Sequence, residues 1–324
     1  MPASPESLRE PQSPPRFGSR IIARGPESPG LGPVSPASRH DEASYLELPV
    51  MIIIQEVVMR FISPVLGAVA VLAVSASIAQ AQFPETLMYD HVHMRVPDPQ
   101  ASAQWFHDHI GGEFVDGRTD RLLFGTTRIM WLRGENSPPS AGGVIDHLGF
   151  SFTDLTAKLA EVEGAGATVT TPRRDVPGLF PLSFIVDPWG VRLELIEDPQ
   201  HLGFHHVHLR DTDPTASLDW YHENFGGVRR TVKGSQLEGI LYPGNVWLLV
   251  SRGESFPSRG AAIEHIGWRA IELDAKIAEF TAKGLDITTA RRDMTLPNGQ
   301  IAFFYIEGPN GARVEFVERA RDMP

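Results

Sequence analysis

Two stretches decide the fold: HVHMRVPDPQASAQWFHDHIGG at residues 91–112 and HVHLRDTDPTASLDWYHENFGG at residues 206–227. They are the same segment, 115 residues apart. Working outward, KLAEVEGAGATVTTPRRD at 158–175 matches KIAEFTAKGLDITTARRD at 276–293, and DPWGVRLELIE at 187–197 matches GPNGARVEFVE at 308–318. The offset grows to 118 and then to 121, as small insertions in loops produce. The chain is therefore a tandem repeat with its boundary near residues 199–202.

Each copy reads as strand, helix, three strands, then strand, helix, three strands. Asp98-Pro99 and Asp213-Pro214 predict an N-cap followed by a first-turn proline, and Gly111 and Gly226 close those helices. Leu155, Leu159 and Val162 give a second helix an apolar stripe, repeated by Leu273, Ile277 and Phe280. Trp105 and Trp220 lie inside helices and are expected in the core. Asp187-Pro-Trp-Gly and Gly308-Pro-Asn-Gly are turns into the last strand of each copy.

Side chains alternate along a strand, so each copy predicts a sheet with one apolar face. The other face is unusual. In the first strand it carries His91, His93 and Arg95, and in its twin His206, His208 and Arg210. The fifth strands add His147 and His265, the eighth Glu194 and Glu315. A polar sheet face is unfavourable unless it lines a solvated cleft or binds something. An isolated strand histidine is usually a hydrogen-bonded residue of no special role. Here one triad recurs on corresponding strands of two diverged copies. Two His and one carboxylate with open positions suit a divalent metal: Fe(II), Mn, Co, Ni or Zn.

Composition narrows the alternatives. The 324 residues suffice for about two domains. A formal net charge of −11 argues against nucleic-acid or anionic-membrane binding. Zero Cys excludes disulfide scaffolds, thiolate metal sites and cysteine nucleophiles. Residues 1–50 hold ten Pro, eight Ser and four Gly and predict a disordered segment, extended to 1–58. At 59–81, MRFISPVLGAVAVLAVSASIAQA has a basic start, an apolar run and a small-residue cleavage site, the layout of a secretory signal peptide. A leader should start a chain, so 1–58 is expected to be an over-extended translation start, with the mature protein at 82–324, periplasmic or secreted. No other segment is apolar enough to span a membrane.

The motifs Asp90-His91-Val92-His93-Met94-Arg95-Val96, Asp146-His147-Leu148-Gly149-Phe150, Asp187-Pro188-Trp189-Gly190 and Leu193-Glu194-Leu195 resemble the vicinal oxygen chelate superfamily: glyoxalases, extradiol dioxygenases and bleomycin-resistance proteins. The resemblance covers about residues 87–318. It implies an α+β fold of tandem glyoxalase-like domains, 87–198 and 203–318, each of two βαβββ modules around a metal cleft. It also implies metal ligands at His91, His147 and Glu194 and at His206, His265 and Glu315.

The family's subdivisions are less legible. Glyoxalase I has a fourth ligand, a Glu on the fourth strand. Here those strands read Arg128-Ile129-Met130-Trp131-Leu132 and Asn245-Val246-Trp247-Leu248-Leu249, with Glu135 and Glu254 just beyond and expected in solvated loops. Extradiol dioxygenases place a Tyr ten residues before the ligand Glu, matched by Tyr305, with Phe184 in the first copy. Their catalytic His positions are Leu296 and Val250 here. The three-ligand plan favours ligand sets drawn from within one copy; exchange across the repeat, as in glyoxalases, is the alternative. His93 and His208 are candidate acid–base groups or donors that orient the ligands. Arg173 and Arg291, in repeated Arg-Arg-Asp runs read as loops before the seventh strand, are candidate substrate clamps or loop staples. The implied function is an exported metal-dependent enzyme, of lyase or dioxygenase type, acting on a small molecule with vicinal oxygens. A non-catalytic protein that sequesters such a molecule is the alternative. The pseudo-two-fold chain is expected as a monomer or a homodimer.

Overall fold

The computed structural model describes residues 85–319; the segments at 1–58 and 59–81 lie outside the described residues. Four βαβββ modules follow one another. The first holds β1 (Met88–Val96), α1 (Pro99–His109), β2 (Glu113–Phe114), β3 (Arg121–Phe124) and β4 (Thr127–Arg133). The second holds β5 (Ile145–Ser151), α2 (Leu155–Gly164), β6 (Thr168–Arg174), β7 (Leu182–Val186) and β8 (Arg192–Ile196). The third holds β9 (Gly203–Asp211), α3 (Pro214–Phe225), β10 (Val228–Thr231), β11 (Glu238–Tyr242) and β12 (Val246–Arg252). The fourth holds β13 (Ile263–Arg269), α4 (Leu273–Ala282), β14 (Ile287–Leu296), β15 (Gly299–Gly308) and β16 (Ala312–Arg319). Among the described residues no helix is long and apolar enough to cross a membrane.

The helix ends form where the sequence signals them. Asp98 Oδ1 accepts from the Ala101 N–H at 3.2 Å, and Asp213 Oδ1 from Ala216 at 3.2 Å. Gly226, at φ +72°, closes α3 with an N–H bond to His222 O. The Arg-Arg-Asp runs differ from expectation. Arg173 and Arg174 end β6, and Arg291 to Asp293 lie inside β14, because both strands extend past the predicted loop to pair with β7 and β15.

The four modules build two eight-stranded sheets, but not copy by copy. One sheet runs β14-β15-β16-β13-β1-β4-β3-β2 and joins the first module to the fourth. The other runs β10-β11-β12-β9-β5-β8-β7-β6 and joins the third to the second. Each seam is an antiparallel strand pair, β1 with β13 and β5 with β9. His93 lies opposite His265 and His91 opposite Gly267; in the second sheet His147 lies opposite His208 and Gly149 opposite His206.

The apolar faces are packed instead between modules of the same copy. Val92, Met94 and Leu148 are fully buried. Phe106 of α1 meets Phe150 of β5 edge-on, Trp105 meets Trp189 edge-on, and the Trp105 indole donates to Ala165 O at the end of α2. In the second copy Phe225 of α3 packs on Trp268 and Phe316. Trp105 is buried as expected, while Trp220 is half-buried against Tyr221 and Phe225. Each copy thus packs its own modules face to face, Tyr89 and Phe204 carry the core across the copies, and each sheet is shared between copies.

The turn at Asp187 gives a prediction. Its Oδ1 accepts the N–H groups of Trp189 and Val191 at 2.9 and 2.8 Å, while Oδ2 is buried with no partner. Burial outweighs these donors and raises its pKa to about 7. A carboxyl raised on folding contributes most below its unfolded pKa, and that contribution is lost as pH climbs from about 4 towards 7. Asp187→Asn keeps the acceptor without the charge. Urea melts should show the variant more stable than the parent at pH 8, by about 2–4 kcal/mol, with the gap closing as pH falls to about 4.

Candidate metal centres

The seam register sets the geometry. Across the first sheet one row reads Arg128 on β4, His91 on β1, Gly267 on β13, Glu315 on β16 and Tyr305 on β15. The matching row of the second sheet reads Trp247, His206, Gly149, Glu194 and Phe184. Glycine stands between histidine and glutamate in both. A Cβ on Gly267 would lie 2.2 Å from His91 Cε1, and one on Gly149 2.0 Å from His206 Cε1. The bare backbone lets each imidazole lie across the neighbouring strand and reach the carboxylate beyond it.

Two clusters result. In the first, His265 Nε2 is 3.0 Å and His91 Nε2 3.6 Å from Glu315 Oε2, and the Tyr305 hydroxyl donates to the same oxygen at 2.5 Å. His93 is the fourth member of the group. In the second, His147 Nε2 and His206 Nε2 are each 3.1 Å from Glu194 Oε2, with His208 as fourth member. Both clusters are complete within one chain. Within-copy ligand sets are therefore corrected: His91 joins His265 and Glu315, and His206 joins His147 and Glu194. The cause is the exchange of sheet partners, which puts the first and fifth strands of one copy in different sheets.

The opposite ring nitrogens are tied outward. His91 Nδ1 bonds Asp90 Oδ1 at 2.8 Å and His147 Nδ1 bonds Asp146 Oδ1 at 2.7 Å, while His265 Nδ1 bonds Glu264 Oε2. A neighbouring carboxylate fixes the tautomer and leaves Nε2 as the lone-pair donor. Guanidiniums then hold the acids: Arg319 and Arg269 on Asp90 at 2.6 and 3.0 Å, Arg192 on Asp146 at 2.6 Å, and Arg313 on Glu264. His206 departs from the pattern. Its Nδ1 lies 2.9 Å from His205 Nδ1, in the position that Asp90 occupies in the first copy.

Charge follows from these contacts. Burial alone would raise Glu315 and Glu194; the histidines facing them pull both well below the usual carboxylate range. For His91 and His147 burial favours the neutral ring, but Glu315 with Asp90, and Asp146 with Glu194, overcome it and raise both. His206 is lowered by burial despite Glu194, and His205 is lowered to about 2 by burial and by its His206 and His201 neighbours. Burial and adjacent imidazoles hold His93 and His208 neutral, well below the ordinary value.

The remaining sequence candidates fall elsewhere. Arg173 pairs with Asp175 at 3.2 Å, and Arg291 with Asp274 and Asp293 at 2.9 Å each. They are staples on outer strands and join neither cluster. Glu135 and Glu254 are exposed, so the fourth strand supplies no carboxylate. The acidic residue before three of the four ligand-type histidines was not singled out in the sequence. Strict alternation sends Asp90 to the apolar face, whereas bulges after Tyr89 and Ile145 turn Asp90 and Asp146 towards the rings.

Comparison with known proteins places the chain in a family. The family model "Glyoxalase/Bleomycin resistance protein/Dioxygenase superfamily" matches residues 89–195 and 203–316. The chain belongs to this superfamily. No curated protein matches it. Among solved structures, glyoxalase I from Zea mays is 18% identical with a TM-score of 0.54, over 72% of this chain and 92% of that one. A putative dioxygenase from Bacillus subtilis subsp. subtilis is 17% identical with a TM-score of 0.52, over 72% and 86%. Likeness at this level shows the superfamily fold, as two tandem α+β domains.

The superfamily chain's first centre leans on Asp90, which is fully buried between two guanidiniums. Asp90→Asn should destabilise the protein by about 3–5 kcal/mol, because Arg319 is itself buried and loses its counter-charge. Chemical denaturation checks this.

Proposed function

We propose that the protein is a metal-dependent enzyme of the superfamily, of lyase or dioxygenase type, acting on a small molecule with neighbouring oxygens. One observation carries the reading. Nε2 of His91, His265 and His206 are buried and make no hydrogen bond, although each lies 3.0–3.6 Å from a shared carboxylate while its Nδ1 is tied outward. Buried polar atoms are normally paired. Atoms held close but out of line converge on a common point, as ligands to a cation do. Two imidazoles and a carboxylate fit Fe(II), Mn, Co, Ni or Zn.

His91, His265 and Glu315 would hold one ion, and His206, His147 and Glu194 the other. A bound divalent ion supplies Lewis acidity towards adjacent substrate oxygens. The protein supplies the rest. Asp90 and Glu264 orient the ligand rings, neutral His93 offers a ring nitrogen to a substrate proton, and the Tyr305 hydroxyl steadies Glu315. Sequestration without turnover remains the second reading, favoured by Leu296 and Val250 at positions where extradiol enzymes carry histidine.

Metal analysis tests the centres. After reconstitution the parent should hold two equivalents. His91→Ala with Glu315→Ala should leave close to one, whereas His91→Ala with Glu194→Ala should fall well below one, since each centre then keeps only two ligands. Less than about 0.2 equivalents in the parent, with every metal tried, would end the proposal. We also take the protein to be exported, on the layout of residues 59–81. Mass spectrometry of the native protein should find an N-terminus at Gln82; an intact 59–81 segment refutes export by cleavage.

A further inference from the structure

The two centres have differently lined surroundings. Beside the first, a cleft of about 270 Å³ is bounded by Arg118 and Arg121 and by Met130, Leu296, Phe303 and Tyr305, with His93 and Glu315 at its floor. Its size is near the lower end of ligand pockets, about 300 Å³. Arg121 stands in the same cross-sheet row as the centre: β3 Arg121 opposes β4 Met130, which opposes β1 His93, which opposes β13 His265. Two strand spacings, about 10 Å, separate the backbones of Arg121 and His93, and Arg121, His93 and Glu315 line the same cleft.

Each local acid is shared between Arg121 and a second guanidinium. Asp120 takes a two-pronged contact from Arg118, with Nε at 3.0 Å. Asp116 accepts from Asn298 at 2.9 Å and from Arg128 at 3.4 Å. Arg121 reaches Asp120 and Asp116 only at 3.4 and 3.5 Å, longer than a good charge-assisted bond. At the second centre the register-equivalent position is Gly239, opposite Leu249, Trp247 replaces Arg128, and the guanidinium of Arg230, one strand further out, lies over the Trp247 ring at 5.2 Å. That face is filled by a buried apolar cluster of Phe180, Leu182, Val232, Trp247 and Leu249.

We infer that the first centre takes a small carboxylate-bearing substrate whose acid group pairs with Arg121, and that the second centre does not. This rests on the metal-centre reading above and assigns the substrate class to one of its two sites. The oxygens to be chelated lie at His91, His265 and Glu315. The apolar body lies along Met130, Leu296 and Phe303, and the carboxylate faces Arg121.

The test uses Co(II)-loaded full-length protein, titrated without oxygen by calorimetry and by the Co(II) absorption bands. The probes are 3,4-dihydroxybenzoate and its uncharged analogue 4-methylcatechol. The parent should prefer the carboxylate roughly ten-fold or more, with one 3,4-dihydroxybenzoate bound per chain. Arg121→Gln should bring the preference ratio to near one, and Arg121→Lys should restore part of it, which lost packing alone would not do. Equal affinities in the parent, a ratio that survives in Arg121→Gln, or two carboxylates bound per chain would each overturn the inference. Protein that holds Co(II) yet binds neither diol refutes the substrate class alone. Protein that holds no Co(II) removes the metal reading and this inference with it.

Discussion

A histidine ring lying over a glycine, across an antiparallel seam, is the contact on which both centres depend. His91 over Gly267 and His206 over Gly149 decide which carboxylate each imidazole can reach. Any side chain at the glycine would fill the space that the ring occupies. The seam register then follows, because a slip of one residue would turn the ligand rings towards the apolar core. Helices, caps and turns serve to hold that register.

Much of this was legible beforehand. The repeat, the βαβββ order, the capped helices and the two-faced strands all stand in the pattern of residues 91–112 and 206–227. The six ligand-type residues follow from period-two alternation on three strands. Partner choice did not follow, since a sequence shows which face a strand presents and not which strand lies beside it. The short link from Asp198 to Leu202 serves either pairing. The acids behind the rings were hidden by bulges, which break the alternation that the sequence reading relied on. The arginine runs misled for another reason: edge strands are often longer than turn signals suggest, and β6 and β14 carry those charges on exposed backbone.

The copies have diverged in the layer that sets polarity, while keeping the ligands. Asp90 held by Arg319 in the first sheet becomes His205 near Asp198 in the second, which inverts the order of acid and base across one pair of strands. Tyr305 becomes Phe184, so Glu194 lacks the phenol that bonds Glu315. Such changes alter how strongly each ligand set is oriented and what can approach it. A duplicated site can in this way keep its donors and change its surroundings.

The module exchange also bears on the order in which the molecule assembles. The middle modules meet across a short link, so their sheet and the His147, Glu194 and His206 group are available once residue 252 has been made. The outer sheet pairs β1 with β13 and β16, and His91 must find Glu315 at the far end of the described chain. Contacts so distant in sequence close late, after the entropy of a long loop has been overcome. Until then β1, its apolar face covered by the second module, keeps an unpaired edge, which favours aggregation. The first module is therefore the segment most in need of shielding during synthesis, and the last module, arriving on a preformed middle sheet, completes the fold.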